Sequence, residues 1–434
     1  MPAKKMTRRT FAKAGAAAVG MTAVSASRVL GANERVRVGF VGVANRGCQV
    51  MQGFQEHADA EVAALCDVDE QILAAAVKKA GGKVAVFGDF RKLYEHKGLD
   101  AVVIATPDHW HAIQTVDACE AGLDVYVEKP LSVTVVEGRH MVRAARRNRR
   151  VVQVGLHRRS SQLYANLAEF VGSGKIGKVT VARCYRLNNM FPKGIGTCPP
   201  SDPPAHLNWD LWLGPRPKRP YQANIHPYKF RWWKQYSSQM ANWGVHFLDA
   251  IRWATGEDAP KSICAMGGQF AVEDDRTIPD TMEAAFQFAS GRLVLFGQYE
   301  AGGNPALASG EIELRGTQGT VYSSGRGYEV VPERGGQFQS RDPRIKPAEV
   351  PAEGNNRNLT SRHARNFLDC VKSRKKPNAD VEIGHRSTTM ALLANISLET
   401  GLRLEWDAET ETITNSPAAA KLLHYEYRKP WKLG

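Results

Sequence analysis

The sequence predicts an α/β protein of two structural domains. A doubly wound parallel sheet comes first, followed by an α/β domain built on an open, mostly antiparallel sheet. Three observations predict it. Short apolar strands alternate with helical segments from residue 35 to 155, the pattern of parallel strands joined by crossover helices. Beyond residue 280, apolar runs follow one another across short Gly-containing turns, the pattern of hairpins. Finally, 434 residues with 43% hydrophobic content exceed what one core usually organises. The expected division is a leader over residues 1–32, a first domain over 33–155 and a second over 156–434.

The leader comes first. Lys4, Lys5, Arg8 and Arg9 precede a mild apolar stretch from Ala14 to Ala26, too short and too weakly apolar to span a bilayer. Thr7-Arg8-Arg9-Thr10-Phe11-Ala12-Lys13 resembles a twin-arginine export signal, with small residues for cleavage at Val24-Ser25-Ala26. The expectation is a mature chain that begins between Ser27 and Asn33 and works outside the cytoplasm, with no other membrane association.

The first domain opens on the apolar run Arg35 to Val41, ended by Gly42-Val43-Ala44-Asn45-Arg46-Gly47 and a helical segment from Cys48 to His57. This is a G-x-A-x-x-G form of the dinucleotide fingerprint of Rossmann domains. Gly42 permits the tight turn, Gly47 the close packing of helix on strand, and the helix N-terminus faces a pyrophosphate. Ala44 stands where a second glycine usually lets the backbone approach the phosphates. A second strand, Val62 to Cys66, ends at Asp67. A carboxylate there accepts both adenosine ribose hydroxyls and repels a 2′-phosphate, which favours NAD over NADP. Asp67 is also an N-cap candidate for the helix starting at Glu70. Strands at Ala101–Ala105 and Asp124–Val127 flank a helix over His111–Ala121. Thr106, Pro107, His111, Glu128 and Lys129 follow strand ends, where ligands of such sheets bind. His109 and His111 lack a third ligand at supportive spacing, so no metal is expected.

These motifs, taken together, resemble the Gfo/Idh/MocA oxidoreductase family. The resemblance rests on the glycine loop, Ala105-Thr106-Pro107 with His111, Glu128-Lys129-Pro130, and Gln153-Val154-Gly155 with Arg158 and Arg159. It continues through Trp209-Asp210-Leu211-Trp212-Leu213-Gly214-Pro215, Asn242-Trp243-Gly244-Val245-His246-Phe247-Leu248-Asp249, Asn378-Ala379-Asp380 and Gly384-His385. It implies a nicotinamide-binding domain followed by a sheet that lies under the substrate, with Lys129 as the central catalytic residue and His246 as the catalytic histidine. Asp249 matches a recurrent family Asp, and its i,i+3 spacing on a helix over Val245–Thr255 suits it to fix the tautomer of His246. Asn242 stands where many family members carry Asp, and an amide accepts no proton. The family also implies a homo-oligomer.

In the second half, Asp280–Phe288 with Arg292–Phe296, and Glu311–Arg315 with Thr320–Tyr322, read as hairpins. Residues 331–358, rich in Pro, Gly and charge, read as a long surface loop, and helices are expected over Ser361–Lys372 and His385–Thr400. The aromatic group Trp209, Trp212, Tyr228, Phe230, Trp232, Trp233, Tyr236 and Trp243 divides between sugar stacking and a subunit interface. His157, Arg158, Asn242, His246 and Trp232 are the candidate substrate contacts.

Composition narrows the partners. The net charge is +14, but the first 32 residues hold six basic groups and no acid, leaving 52 basic against 44 acidic residues spread along the chain. That is a solvated basic surface and no nucleic-acid site. The seven cysteines form no CxxC pair and read as small apolar residues. The expected activity is an NAD-dependent oxidoreductase acting on a secondary alcohol of a sugar, polyol or sugar derivative. Two alternatives stand beside it: an NAD-dependent glycoside hydrolase that oxidises its substrate transiently, and a non-catalytic sugar sensor.

Overall fold

The computed structural model describes residues 35–352 and 358–434; the leader expected over residues 1–32 lies outside them. The first sheet contains β1 (Val36–Val41), β2 (Ala60–Cys66), β3 (Ala85–Phe87), β4 (Ala101–Ile104), β5 (Asp124–Val127) and β6 (Val152–Val154). They run parallel in the order β3-β2-β1-β4-β5-β6. The order reverses between β1 and β4, which opens a crevice at their carboxyl ends. Every residue of β4 and β5 is buried, because helices cover both faces: α1 (Asn45–Gln55), α2 (Glu70–Ala80), α3 (Phe90–Tyr94), α4 (His111–Glu120) and α5 (Val135–Arg147). Local chemistry sets their ends. Thr134 and Glu137 form a capping box on α5. Asp69 caps α2 through the amides of Gln71 and Ile72; the cap is therefore Asp69 and not Asp67, whose carboxylate is used elsewhere.

The second half adds α6 (Gln162–Gly172), α7 (Trp209–Leu213), α8 (Val245–Thr255), α9 (Leu359–Ser373) and α10 (Val381–Thr400). Its sheet begins with β7 (Val179–Leu187), β8 (Pro260–Gly268), β9 (Thr281–Phe288), β10 (Leu293–Tyr299) and β11 (Ile312–Gly316). It is completed by β12 (Gly319–Ser324), β13 (Gly327–Pro332), β14 (Ala348–Pro351), β15 (Leu404–Asp407) and β16 (Thr412–Ile413). The order is β14-β13-β12-β11-β7-β10-β9-β8-β15-β16. Only β7 and β10 pair in parallel; the other described pairs are antiparallel, including the two hairpins expected from the sequence. Along β9 buried and more accessible residues alternate, so one face packs on helices and the other looks outward.

One expectation needs correction. The stretch read as a loop from residue 331 carries the end of β13 and all of β14, which extend the sheet edge. Edge strands need only one neighbour, and here Gly and Pro hide the period-2 pattern. Helix α9 returns to the first sheet, where the Phe367 ring meets Phe54 and Tyr126 edge-on, each at 6.0 Å between centroids.

Phe367 is fully buried in that seam. Phe367→Ala should cost about 3–5 kcal/mol, read as a lowered denaturant midpoint; an unchanged midpoint would show that α9 is dispensable to the first core.

Candidate active site

The glycine loop forms the floor of the crevice. Gly42 has φ 79°, and a Cβ there would lie 2.7 Å from the Thr106 amide nitrogen. A Cβ on Gly47 would lie 1.9 Å from the Gly42 carbonyl oxygen. Both positions therefore require glycine, one for conformation and one for approach. Ala44 precedes α1 and makes no side-chain cap, which leaves the first-turn amides at Asn45 and Arg46 to an anion. Beside the loop, Asp67 accepts from the amides of Val43 at 2.9 Å and Asp69 at 3.1 Å. Burial pushes the Asp67 carboxyl up to about 6, against those amide bonds.

The crevice is lined by Gly42, Ala44, Asn45, Asp67, Thr106 and Pro107 on the first-domain side. Its roof comes from the second half, through Leu211, Trp212, Pro227, Tyr228 and Arg231. A glycine cradle, open helix amides, a buried acceptor at a strand end and a deep, partly aromatic slot fit a dinucleotide.

Past the loop lies a polar cluster. Glu128 is buried and pairs with Arg46 at 2.8 Å. Burial alone would raise its carboxyl, but Arg46 and Lys129 outweigh burial and hold it below its ordinary value. The Lys129 ammonium donates to both the carbonyl and the side-chain oxygen of Asn242, each at 2.8 Å. Burial lowers Lys129 to about 8, with Glu128 opposing and Arg231 reinforcing the shift. His246 is buried; its Nδ1 has no partner among the described residues, and its ring lies 5.0 Å from that of His157. Burial first, then Lys129 and His157, push His246 well below its ordinary value. It is therefore a neutral imidazole at pH 7.

Asn242 sits in a π turn, Met240–Gly244, that leads into α8. The wide turn gives way to regular α-helix at Val245, so His246 and Asp249 keep their i,i+3 spacing. Asn242 turns to Lys129, and Asp249 does not reach His246. Asp249 instead takes a two-pronged contact from Arg159, at 2.8 and 2.9 Å, and a hydroxyl bond from Ser387 at 2.7 Å. Spacing along α8 could not reveal an arginine 90 residues earlier in the chain. Asp249 is thus a brace beneath the site and not the orienter of His246.

The other sequence candidates separate in the same way. His111 bonds the carbonyls of Pro130 at 2.8 Å and Thr106 at 3.0 Å, tying the two strand-end loops together from behind. Arg158 pairs with Glu311 at 3.0 Å and lies 4.6 Å over the Phe247 ring. Trp232 is buried and donates to Glu300 at 2.9 Å, so it belongs to the core. Trp209, Trp212, Phe230, Trp232, Trp233 and Tyr236 join one buried cluster that supports the roof, a role outside both the sugar-stacking and the interface expectations. Trp243 alone of the group reaches the lysine, with its ring 5.9 Å from the ammonium. Tyr228 and Pro227 were missed as crevice residues. Their only signal was membership of an aromatic stretch, and folding brings them back over β1 from far along the chain. Among the described residues no cluster of three metal-ligating side chains occurs, and no helix is long and apolar enough to cross a membrane.

Comparison with known proteins agrees with this architecture. A family model described as the Gfo/Idh/MocA oxidoreductase family, NAD-binding Rossmann fold, matches residues 36–156. Its companion, the C-terminal alpha/beta domain of the same family, matches residues 166–328 and 337–433. Inositol 2-dehydrogenase 1 of Saccharopolyspora erythraea is 34% identical over 155 residues, 35% of this chain and 46% of the relative. The alpha-N-acetylgalactosaminidase of Shewanella oneidensis is 34% identical over 125 residues, 27% of each chain. These matches thus span less than half of the curated relatives. Levoglucosan dehydrogenase, solved with NADH and levoglucosan, shares the fold at TM-score 0.66 and 17% identity, covering 86% of this chain and 99% of that one. The WlbA dehydrogenase of Bordetella pertussis, solved with NADH and UDP-GlcNAcA, does so at TM-score 0.64 and 19% identity, covering the same shares.

Asp67 gives the crevice a testable pH signature. Only the ionised carboxylate accepts two ribose hydroxyls, so NAD should be released faster as pH falls from 7 to 5 through the raised value near 6. Asp67→Asn should release NAD about tenfold faster at pH 7, a loss of about 1.4 kcal/mol, and lose that pH dependence. Unchanged release rates would remove Asp67 from the binding site.

Proposed function

This chain belongs to the Gfo/Idh/MocA oxidoreductase family, and from that premise we propose that it acts on a secondary alcohol of a sugar, polyol or sugar derivative. In this reading Lys129 and His246 stand at the reacting carbon. The observation that carries it is the buried Lys129 ammonium, pinned by two oxygens of Asn242 beside a neutral, unpartnered His246. When bound, NAD supplies a hydride acceptor. Lys129 directs its remaining N–H at the substrate oxygen and stabilises negative charge developing there, in a site where burial strengthens the interaction. His246, held neutral by its cationic neighbours, takes the hydroxyl proton. Asn242 cannot share that task; it fixes the direction of Lys129. Asp249 and Arg159 hold α8, and with it His246, in place.

A second reading keeps the same residues and changes the net reaction to glycoside cleavage: oxidation of a ring carbon, elimination of the aglycone, addition of water and return of the hydride. The similarity to an alpha-N-acetylgalactosaminidase in the stretch of 125 residues favours it. So does Asn242, which leaves the site without the usual acid. The twin-arginine-like leader adds a constraint on either reaction. That route carries folded proteins, so NAD is loaded in the cytoplasm and stays with the enzyme outside it. A cofactor that stays must be restored in each turnover, which makes the overall reaction redox-neutral.

Lys129→Met should lower turnover by at least about 100-fold while the protein still carries NAD; full activity would end the lysine mechanism. In the wild type, turnover should fall as pH rises through about 8, where the ammonium is lost. No acid limb should appear near the ordinary histidine value. Lys129→Arg, which keeps its charge, should lose the alkaline fall. A panel of polyols and glycosides, followed by nicotinamide absorbance and product mass together, separates the two reactions. With the cofactor retained, an oxidised sugar formed alongside a reduced second sugar indicates an oxidoreductase that returns its hydride to that second sugar, and free sugar released from a glycoside indicates glycoside cleavage. Protein purified without added nucleotide should carry close to one NAD(H) per chain; stable cofactor-free protein active only with added NAD would refute retention.

A further inference from the structure

A second cavity, of about 670 Å³, lies on the far side of the catalytic π turn between α10, the segment entering α5 and the chain near its C-terminus. No residue lines both this cavity and the dinucleotide crevice. Its most unusual wall residue is Arg216, 9% exposed, which pairs with no carboxylate among the described residues and whose Nε has no partner at all. Its guanidinium lies 3.6 Å from the Tyr425 ring centroid. A ring face offsets only part of the cost of taking a cation out of water. His424 Nδ1 is buried without a partner as well, while the Tyr425 hydroxyl lies against the buried Glu137 carboxylate behind the wall. Arg219 lines the same wall, 4.5 Å over the Trp233 ring. Among the lining residues the only acid is Glu399, already paired with Lys234 at 2.7 Å. Arg216 and Arg219 thus put two guanidinium groups on one wall, while Ile278, Leu392 and Leu398 supply an apolar wall beside polar Ser237, Ser238 and Asn395.

We propose that this cavity is a second ligand site for a small organic anion, its carboxylate or phosphate held by Arg216 and its apolar body against Trp233 and Leu398. The guanidinium fork suits either head group. The site is also wired to the lysine. Ser238, on the cavity wall, takes the Asn242 amide on its carbonyl at 2.8 Å and the Asn395 amide on its hydroxyl at 2.8 Å. Asn242 in turn fixes Lys129. A bound anion thus lies one hydrogen bond behind the residue that aims the catalytic ammonium. The proposal stands whichever reaction the front of the site performs.

Calorimetric titration of the NAD-saturated full chain with benzoate, phenyl phosphate and neutral benzyl alcohol tests it. At least one anion should bind and the alcohol should not; the tighter anion identifies the head group. Arg216→Gln should weaken that anion about tenfold or more, and Arg216→Lys should recover part of the loss. If Arg216→Gln fails to fold, Leu398→Trp fills the cavity from its apolar side and should abolish binding. The proposal is overturned by binding unaffected by these variants or by no binding of either anion. It is equally overturned if Arg216→Gln shifts the oligomeric state by light scattering, which would mean that a second copy occupies the cavity.

Discussion

The contact on which the site depends is the pair of hydrogen bonds from the Lys129 ammonium to Asn242. It joins the end of β5 in the first sheet to the turn that starts α8 in the second half, so it sets how the two halves meet where substrate and cofactor must converge. It is also costly. Burying an ammonium beside Arg46 and Arg231 disfavours its charge, and only neutral oxygens, with Glu128 and Asp108 further off, hold it. A lysine kept in so poor an environment is poised to gain from negative charge on a substrate oxygen.

The rest of the cluster follows from that electrostatic arrangement. Glu128 is committed to Arg46, and Asp249 to Arg159 and Ser387; neither offers a free carboxylate to the reacting centre. His246 stays a neutral imidazole, kept so by burial first and then by Lys129 and His157, as the proposed base role requires. Environment thus separates the two groups: a cation that titrates near 8 and an imidazole that stays unprotonated.

The second half does more than supply a sheet. Its cluster of Trp209, Trp212, Trp233 and Tyr236 forms a rigid block whose edge covers the crevice through Trp212 and the segment Pro227–Arg231. Meanwhile α9 closes the opposite face of the first sheet through Phe367. The dinucleotide slot is therefore bounded by chain segments more than 100 residues apart.

The sequence by itself determined the parallel sheet, the glycine loop, Asp67 at the end of β2 and the family's ordered motifs, because these depend on neighbours within a few residues: apolar period, turn chemistry and a helix N-terminus. It also located Lys129, Asn242 and His246, since each belongs to a short motif. Tertiary structure alone decided who bonds to whom. Asp249 was legible as a helix-face partner of His246, but Arg159 claims it, because a buried carboxylate takes the nearest bidentate cation in space and not along the chain. Trp232 looked like a sugar platform until Glu300 took its N–H. The β14 edge strand was invisible because a strand with one neighbour needs little periodicity. Arg216, with no motif around it, emerged only in the folded chain, where it lies over Tyr425 with its Nε unpartnered.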